Sequence, residues 1–436
     1  MKKTLLLIIT LLLICLSFVG CNTNDSDKKV GKELEISTYA KNTYLEEVAK
    51  EYQKQNPDIK INIITFANDL TMEVSNEKEY SEDNSPRDYI KNINTAFIAK
   101  KGSDIINMDV LPYYKYASSS YLADLSELIE NDSEFKKDEY YSKILDSLKV
   151  NSKLYMMPID YMAYIGGVNK NFSSDINNYK VSNFLDLGYK NLKDKDEKGV
   201  YVYDDPYDLF NILYEENYTK LVDLDAKKSN FNSNEFKNIL DNINMLKKEN
   251  LLIDSNDIGE ENYLKYFKYD SIWTQDLLTP HFGFNDDFVD MNLIKDCDDK
   301  VYFDVIHSYA INENSNNKEL AWDFIKFMIN EESQSSPGIF PINKKALNNS
   351  YKEQIRQMLN DANENGMALD DDVDKICDEY IAKLSDFSEQ INTYHFKDYN
   401  IDNIVKEEVK AFIDEKKDKD DVINAISMKV DTYLQE

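Results

Sequence analysis

Histidine, glycine, cysteine and arginine are all scarce in this chain, and each shortage removes a class of chemistry. The three histidines, at positions 281, 307 and 395, are scattered, with no His-Glu-x-x-His pair to hold a catalytic metal. The eleven glycines form neither a phosphate-cradling loop nor a Gly-x-Ser-x-Gly elbow, so nucleotide and hydrolase chemistry leave no mark. Four cysteines without a Cys-x-x-Cys spacing give no sign of metal or redox work. Arg87 and Arg356 are the only arginines, and the formal net charge is −30. Phosphate recognition needs basic surface, so this charge argues against a nucleic-acid partner, and a strongly anionic small ligand would be harder to attract. Isolated acids are too numerous to nominate a glycosidase pair. The expectation is a protein that is not an enzyme and uses neither cofactor nor metal.

What is present is globular. A hydrophobic content of 42% with 12% aromatic residues can bury a core, and 436 residues exceed what one ordinary core organises, so two lobes are expected. The N-terminus carries a separate message. Lys2 and Lys3 precede an apolar run from Leu5 to Leu16, too short for a confident membrane span, which ends in "LSFVGC". Basic residues, an apolar run and small residues before a cut describe a secretory signal. Cys21 directly after Gly20 resembles a bacterial lipobox, whose cysteine becomes the acylated first residue, although Phe18 stands where Leu is usual. The rival reading is an ordinary secretory signal or an uncleaved anchor. Residues 1–20 are thus read as signal and 21–32, a polar and turn-rich stretch, as a tether. Cys15 leaves with the signal and Cys21 takes lipid, so Cys297 and Cys377 remain as one disulfide or two thiols.

Hydrophobic periodicity then marks the elements. "ELEISTYA" (Glu33–Ala40) reads as a strand; Tyr44, Leu45, Val48, Ala49 and Tyr52 follow at helical spacing, stopped by Asn56-Pro57; "DIKINIITF" reads as a second strand. Strand, helix, strand within about thirty residues opens an α/β lobe with a parallel sheet. Gly102–Met108 reads as another buried strand. Phe236, Ile239, Leu240, Ile243 and Leu246 face one side of a helix, with Asn232 as N-cap, Glu235 closing a capping-box turn and Phe231 stapled on Phe236. Val422, Ile426, Val430 and Leu434 form the stripe of a last helix. The acidic runs "LDDDVDK" and "DEKKDKDD" read as solvated loops or helix ends, because neither has calcium-loop spacing.

These pieces, in this order, resemble the extracellular solute-binding proteins of carbohydrate-type ABC importers, the family of maltose-binding protein. The resemblance rests on "LEISTYAKNTYLEEVAKEYQKQNPDIKINI", on the rim stretch after "GSDIINM", and on "SKLYMMPIDYMAYIGGVNKNF", which looks like the crossover between lobes. "SYAINENSNNKELAWDFIKFMINEESQ" looks like the return crossover and its helix, and "IVKEEVKAFIDEKKDKDDVINAISMKVDTYLQE" like the closing helix pair. Departures are Ser152 and Met156 where the crossover usually has Gly, "KKDKDD" where the closing turn usually has Gly, and Asn107, Met108 and Asp109 where some sugar binders place a Trp. The resemblance implies an α/β, periplasmic-binding-protein-like fold of type II character, with two discontinuous lobes, a hinge and an inter-lobe cleft. Residues 33–160 and 306–345 would form lobe one, and 161–305 and 346–436 lobe two.

A pyranose offers apolar C–H faces to aromatic rings and hydroxyls to carboxylates and amides, so a sugar site needs both kinds of side chain in one concave place. With 31 tyrosines, position must do the sorting. In the crossover the pleat sends Asp160, Met162 and Tyr164 to one face and Tyr161 to the other. Asp160 and Tyr164 are expected in the cleft; the alternative is a strand acid satisfied by backbone amides and a packed Tyr. Tyr39, at the end of the first strand, and Asp109 and Tyr113, after the third, are further ligand candidates, each weighed against core. Trp273 falls where the family often places a stacking aromatic on the second lobe, whereas Trp322 reads as core; Tyr394 and His395 are weaker candidates. Pro158, Gly166 and Gly167 are the expected hinge, the glycines either absorbing rotation or allowing close packing.

The function this implies is a lipid-anchored receptor, expected as a monomer at the outer face of the bacterial membrane, that takes a small-molecule ligand, a carbohydrate, to ABC permease subunits. A sensory or adhesive lipoprotein, a receptor for peptide or polyamine, and a surface glycan hydrolase are the rival readings.

Overall fold

The computed structural model describes residues 32–67, 85–169, 178–192, 201–203, 206–254, 266–272, 288–335, 340–366, 369 and 372–436. The opening runs as the periodicity expects. Strand β1 (Lys32–Ala40) is followed by the helix Thr43–Gln55 and by β2 (Ile59–Ala67), and the two strands pair in parallel. Asn42 caps the helix by accepting from the Leu45 N–H at 2.9 Å, and Asn56 closes it before Pro57. Tyr44, Leu45, Val48, Ala49 and Tyr52 are the residues that helix buries. β3 (Ile105–Asn107) joins the other edge of β1 in parallel.

The long strand β4 (Met157–Asn169) ties the molecule together. Its first half pairs antiparallel with β7 (Tyr302–Ile311), which in turn pairs with β3. Its second half lies between β5 (Phe267–Ser271) and β6 (Phe288–Leu293), both antiparallel. The short β8 (Thr393–Tyr394) adds to β7 in parallel. Among the described residues these eight strands make one mixed sheet, in the order β6-β4-β7-β3-β1-β2 with β5 beside β4 and β8 beside β7.

Two hydrophobic cores flank this strand exchange. The first runs from Leu34 and Ile36 through Tyr161, Ala163 and Ile165, and includes Trp322 and Phe324 of the helix Lys318–Met328. The second begins at Val168 and gathers the helices Val181–Leu192, Pro206–Leu221 and Asn234–Lys248 with the closing pair Tyr399–Ile413 and Lys419–Gln435. The handover thus falls within β4, between Ile165 and Val168. One expected boundary differs. Residues 346–436 are expected in the second lobe, yet Leu347, Ile355, Leu359, Ile376, Tyr380, Leu384 and Ile391 pack in the first core. The amphipathic helices Lys352–Glu364 and Val373–Gln390 turn their buried faces that way. The chain returns to the second core only from Ile401 onward, so residues 392–398 form a third crossing.

Local signals resolve as follows. Ser233, not Asn232, caps the helix Asn234–Lys248, accepting from the Phe236 N–H at 3.2 Å, which leaves Glu235 one position short of a capping box. The Phe231 and Phe236 rings do meet, 5.0 Å apart and edge to face. Both acidic runs supply helix caps: Asp372 starts Val373–Gln390, and Asp418 starts Lys419–Gln435. Asn151 and Ser152 carry φ of 51° and 66° in a hairpin closed by Val150 and Lys153, so Ser152 adopts the left-handed backbone for which glycine is suited. Cys297 is half-buried beside Thr219 and Cys377 lies in the first core; both are free thiols.

Candidate functional site

The two crossover strands do not form a regular ladder where they pass the end of β3. Phe303, Asp304 and Val305 oppose Ala163, Met162 and Tyr161 in step; the register then shifts so that His307 opposes Asp160, and shifts again so that Ser308 opposes Pro158. Proline has no N–H to give the ladder, and irregular pairing at such a point re-aims side chains. The consequence is chemical. The His307 backbone N–H donates to Asp160 Oδ1 at 2.8 Å, and the next amide, Ser308 N–H, donates to Asp109 Oδ1 at 2.9 Å. Two consecutive amides of β7 are therefore held by two carboxylates, one from β4 and one from the turn after β3.

His307 stands between those acids. Its Nδ1 lies 2.9 and 3.0 Å from the two oxygens of Asp160, so the proton on Nδ1 donates to that carboxylate. Burial disfavours the charged ring, but the Asp160 hydrogen bond and the charges of Asp160 and Asp109 outweigh it and raise His307 above its ordinary pKa. The Asp160 side chain is 1% exposed, whereas that of His307 is 32% exposed. Asp109 differs from both: solvent reaches it, yet protein surrounds it on several sides. That crowding, with Asp160's charge, pushes the carboxyl up to about 6 against the opposing pull of His307, Asn107 and the Ser308 amide. Solvent access decides whether a ligand can touch it, and there it is open.

Further along the strands a second polar group fixes the crossings to the second lobe. Tyr164 donates its hydroxyl to Asp304 Oδ2 at 2.6 Å, and its ring stacks on Tyr269 with centroids 5.1 Å apart. Lys397, on the third crossing, lies 2.8 Å from both Asp304 Oδ1 and Glu215 Oε1. Burial works against the Lys397 ammonium, and the charges of Asp304 and Glu215 hold it well above its ordinary range. Burial also opposes the charge on Asp304, but Lys397 and the Tyr164 hydroxyl lower its pKa; burial wins at Glu215 and raises it. Burial likewise pushes Asp402, which accepts from the Tyr214 hydroxyl at 3.1 Å, up to about 7. Tyr394, half-buried on β8, packs against Phe303 and Phe396.

The expected site residues divide accordingly. Asp109 is open to solvent. Asp160 shares the pleat face of Tyr164, as parity requires, but is sealed beneath His307 and satisfied internally, so it supports the site from below. Tyr113 is a correction of the same kind. Its hydroxyl donates to the Leu148 carbonyl at 2.7 Å, its side chain is buried, and its ring stacks on Phe396, so its polar end is already committed. Tyr39 is buried with its ring 5.7 Å from Tyr89. Tyr161 is core, donating to Ser388 at 2.6 Å, and so is Trp322, bonded to Asp132. His395 is buried against Asp296 and stacked on Tyr302. Trp273 and Cys21 lie outside the described residues. Pro158 sits at the register shift, and Gly167 pairs with Lys268 on β5. Gly166 is needed for packing: a Cβ there would meet Ile294 Cδ1 at 2.6 Å and Phe184 Cε2 at 2.8 Å. Sequence reasoning missed His307, Asp304 and Lys397. The signal for the first two was an acid and an imidazole inside the otherwise apolar strand "VYFDVIHSYAI".

Two α/β halves exchanging strands through crossing segments, with polar groups gathered at the strand ends, define a two-lobed binding protein of the type II periplasmic class. The sequence matches the family of bacterial extracellular solute-binding proteins over residues 37–335, and the chain belongs to that family. No protein of curated function matches it. Solved structures share the fold. The sugar-binding protein MalE from Xanthomonas citri is similar at a TM-score of 0.59 and 12% identity, over 93% of this chain and 98% of that one. An ABC substrate-binding protein from Listeria monocytogenes, solved in complex with cycloalternan, gives 0.54 and 18%, over 93% and 99%. A periplasmic oligogalacturonide-binding protein from Yersinia enterocolitica gives 0.55 and 13%, over 92% and 99%. The family is one of binding proteins rather than enzymes. Among the described residues no helix is long and apolar enough to cross a membrane, and no group of three His, Cys, Asp or Glu is placed to hold a metal.

Proposed function

We propose that this protein is a lipid-anchored extracellular receptor of an ABC importer, capturing a sugar or oligosaccharide between its lobes and delivering it to the permease. The observation that carries this reading is Asp109: a solvent-reached carboxylate at the end of a central strand, pinned to the Ser308 amide of a crossover strand. A carboxylate fixed in this way accepts from sugar hydroxyls without first losing side-chain freedom. Tyr394, half-buried on β8, is the aromatic surface offered to a pyranose face, and Trp273 is the second aromatic of this reading; Asp160, Tyr113 and Tyr164 hold the walls in place. Lobe closure is favoured by whatever differential affinity the ligand has for the closed form. Pro158, Gly166 and Gly167 lie in the strand about which that closure turns. One protein of this fold was solved in complex with cycloalternan and another is an oligogalacturonide-binding protein; a net charge of −30 favours an uncharged saccharide here. Cys21 carries the lipid, and more than one acyl chain is needed for lasting attachment.

The test is a thermal-shift panel of mono- and oligosaccharides on protein beginning after Cys21. Stabilisation by at least one saccharide supports the reading. A panel without effect, alongside a shift with peptides or polyamines, removes the sugar assignment. Mass spectrometry of the membrane fraction should find acyl chains on Cys21 and none on a Cys21→Ala variant.

A further inference from the structure

The two ring nitrogens of His307 have different surroundings. Nδ1 is held by both oxygens of Asp160, whose side chain is almost wholly buried. That bond and the backbone bond from His307 N–H to the same carboxylate fix the orientation of the ring. Nε2 has no partner among the described residues, and the side chain is 32% exposed. The adjacent residue, Ser308, gives its amide to Asp109 in the turn after β3, so the part-exposed ring and the open carboxylate are held at consecutive positions of the crossover strand.

We propose that His307 is a ligand-contacting, specificity-setting residue of this cleft, with Asp160 as its positioning residue and Nε2 as the atom offered to the bound solute. This deepens the reading of the protein as a saccharide receptor and rests on it. The groups facing the ring are Asp160 from β4 and Asp109 from the turn after β3; Tyr394 from β8 adds a phenol within the field of Asp109. Both acids favour the imidazolium. In that form Nε2–H donates to a ligand oxygen in a charge-assisted bond, the stronger kind. Once the ring is neutral, Nδ1 keeps its proton for Asp160 and Nε2 can only accept. The site therefore changes from donor plus acceptor (His307 and Asp109) to two acceptors. Affinity for a ligand that presents an acceptor oxygen to His307 falls as pH rises through the raised pKa of the ring.

The experiment uses the exported chain from residue 22 with maltotriose, cellotriose and galactotriose as probes. Imidazole nitrogen resonances and melting temperature are followed together, and calorimetry is run from pH 6 to pH 9 on whichever trisaccharide stabilises the protein. In the free protein His307 is expected as the Nδ1–H tautomer when neutral, and a stabilising trisaccharide is expected to move its Nε2 resonance. His307→Phe should weaken binding by about tenfold. His307→Gln, whose amide nitrogen can take the place of Nε2–H, should retain most of the affinity while losing the dependence on pH. Circular dichroism and melting temperature show that each variant is folded. A trisaccharide that stabilises the protein while the Nε2 resonance stays put, or that binds the Phe variant as tightly as the parent, overturns the role of His307 and leaves the receptor reading intact. No stabilisation by any of the three overturns this inference through the reading beneath it.

Discussion

Tyr164 and Asp304 sit on the two strands that cross between the cores in opposite directions, and the tyrosine hydroxyl donates to the carboxylate at 2.6 Å. The bond joins the crossings just where the molecule passes from one core to the other. Its loss in Tyr164→Phe leaves Asp304 with Lys397 as its remaining side-chain partner. The expected cost is about 1.5–2 kcal/mol, in the range for a hydrogen bond to a charged group, read from urea unfolding midpoints at unchanged slope. A cost near zero would mean that water replaces the hydroxyl fully.

Lys397 neutralises two acids at once. Lys397→Met should destabilise by about 3–5 kcal/mol, because Asp304 and Glu215 are then left as uncompensated carboxylates in a crowded site. The deficit should shrink in acid, where those carboxylates take up protons. A uniform loss at every pH would place the effect in packing instead.

Asp402 sets a pH dependence of opposite sense to an ordinary salt-bridged acid. Its folded pKa, raised by burial to about 7, lies above the usual aspartate value. Between the two values the folded state holds a proton that the unfolded chain has lost, so its contribution to stability declines as pH rises through that window. Asp402→Asn keeps an acceptor for the Tyr214 hydroxyl and removes the titration. It should flatten the fall in melting temperature between about pH 4 and pH 7. An unaltered profile would assign that slope to Asp109 or Glu215.

Gly166→Ala tests packing in the crossover. With Ile294 Cδ1, Phe184 Cε2 and the Lys268 carbonyl already against the new methyl, overpacking should cost about 1–3 kcal/mol in thermal or urea unfolding. A neutral result would show that Ile294 and Phe184 yield easily.

Ser152→Gly is the stabilising counterpart. The Ser152 backbone is left-handed at φ of 66°, and relieving that strain should add about 1 kcal/mol, visible as a higher melting temperature. If stability drops instead, the serine hydroxyl or the greater freedom of glycine in the unfolded chain outweighs the strain.

The sequence alone carried the architecture because its evidence is local and periodic. Tyr44, Leu45, Val48, Ala49 and Tyr52 mark a helix face in any context, and the strand-helix-strand opening leaves few alternatives for the first lobe. The order of such pieces then pointed to the family. The candidate site was legible only in part. Pleat parity placed Asp160 and Tyr164 on one face, but parity says nothing of what lies above a side chain. His307 seals Asp160, and Asp304 and Tyr269 take up Tyr164, because strands 140 residues apart in the chain pair there with a shifted register. Lys397 and the packing of Leu347–Ile391 in the first core were equally beyond a local reading, since an amphipathic helix shows that it has an apolar face but not which core receives it. Periodicity determined which residues go inside. Register and the path of the three crossings, which depend on pairings distant in sequence, decided which polar groups meet and which of them a ligand can reach.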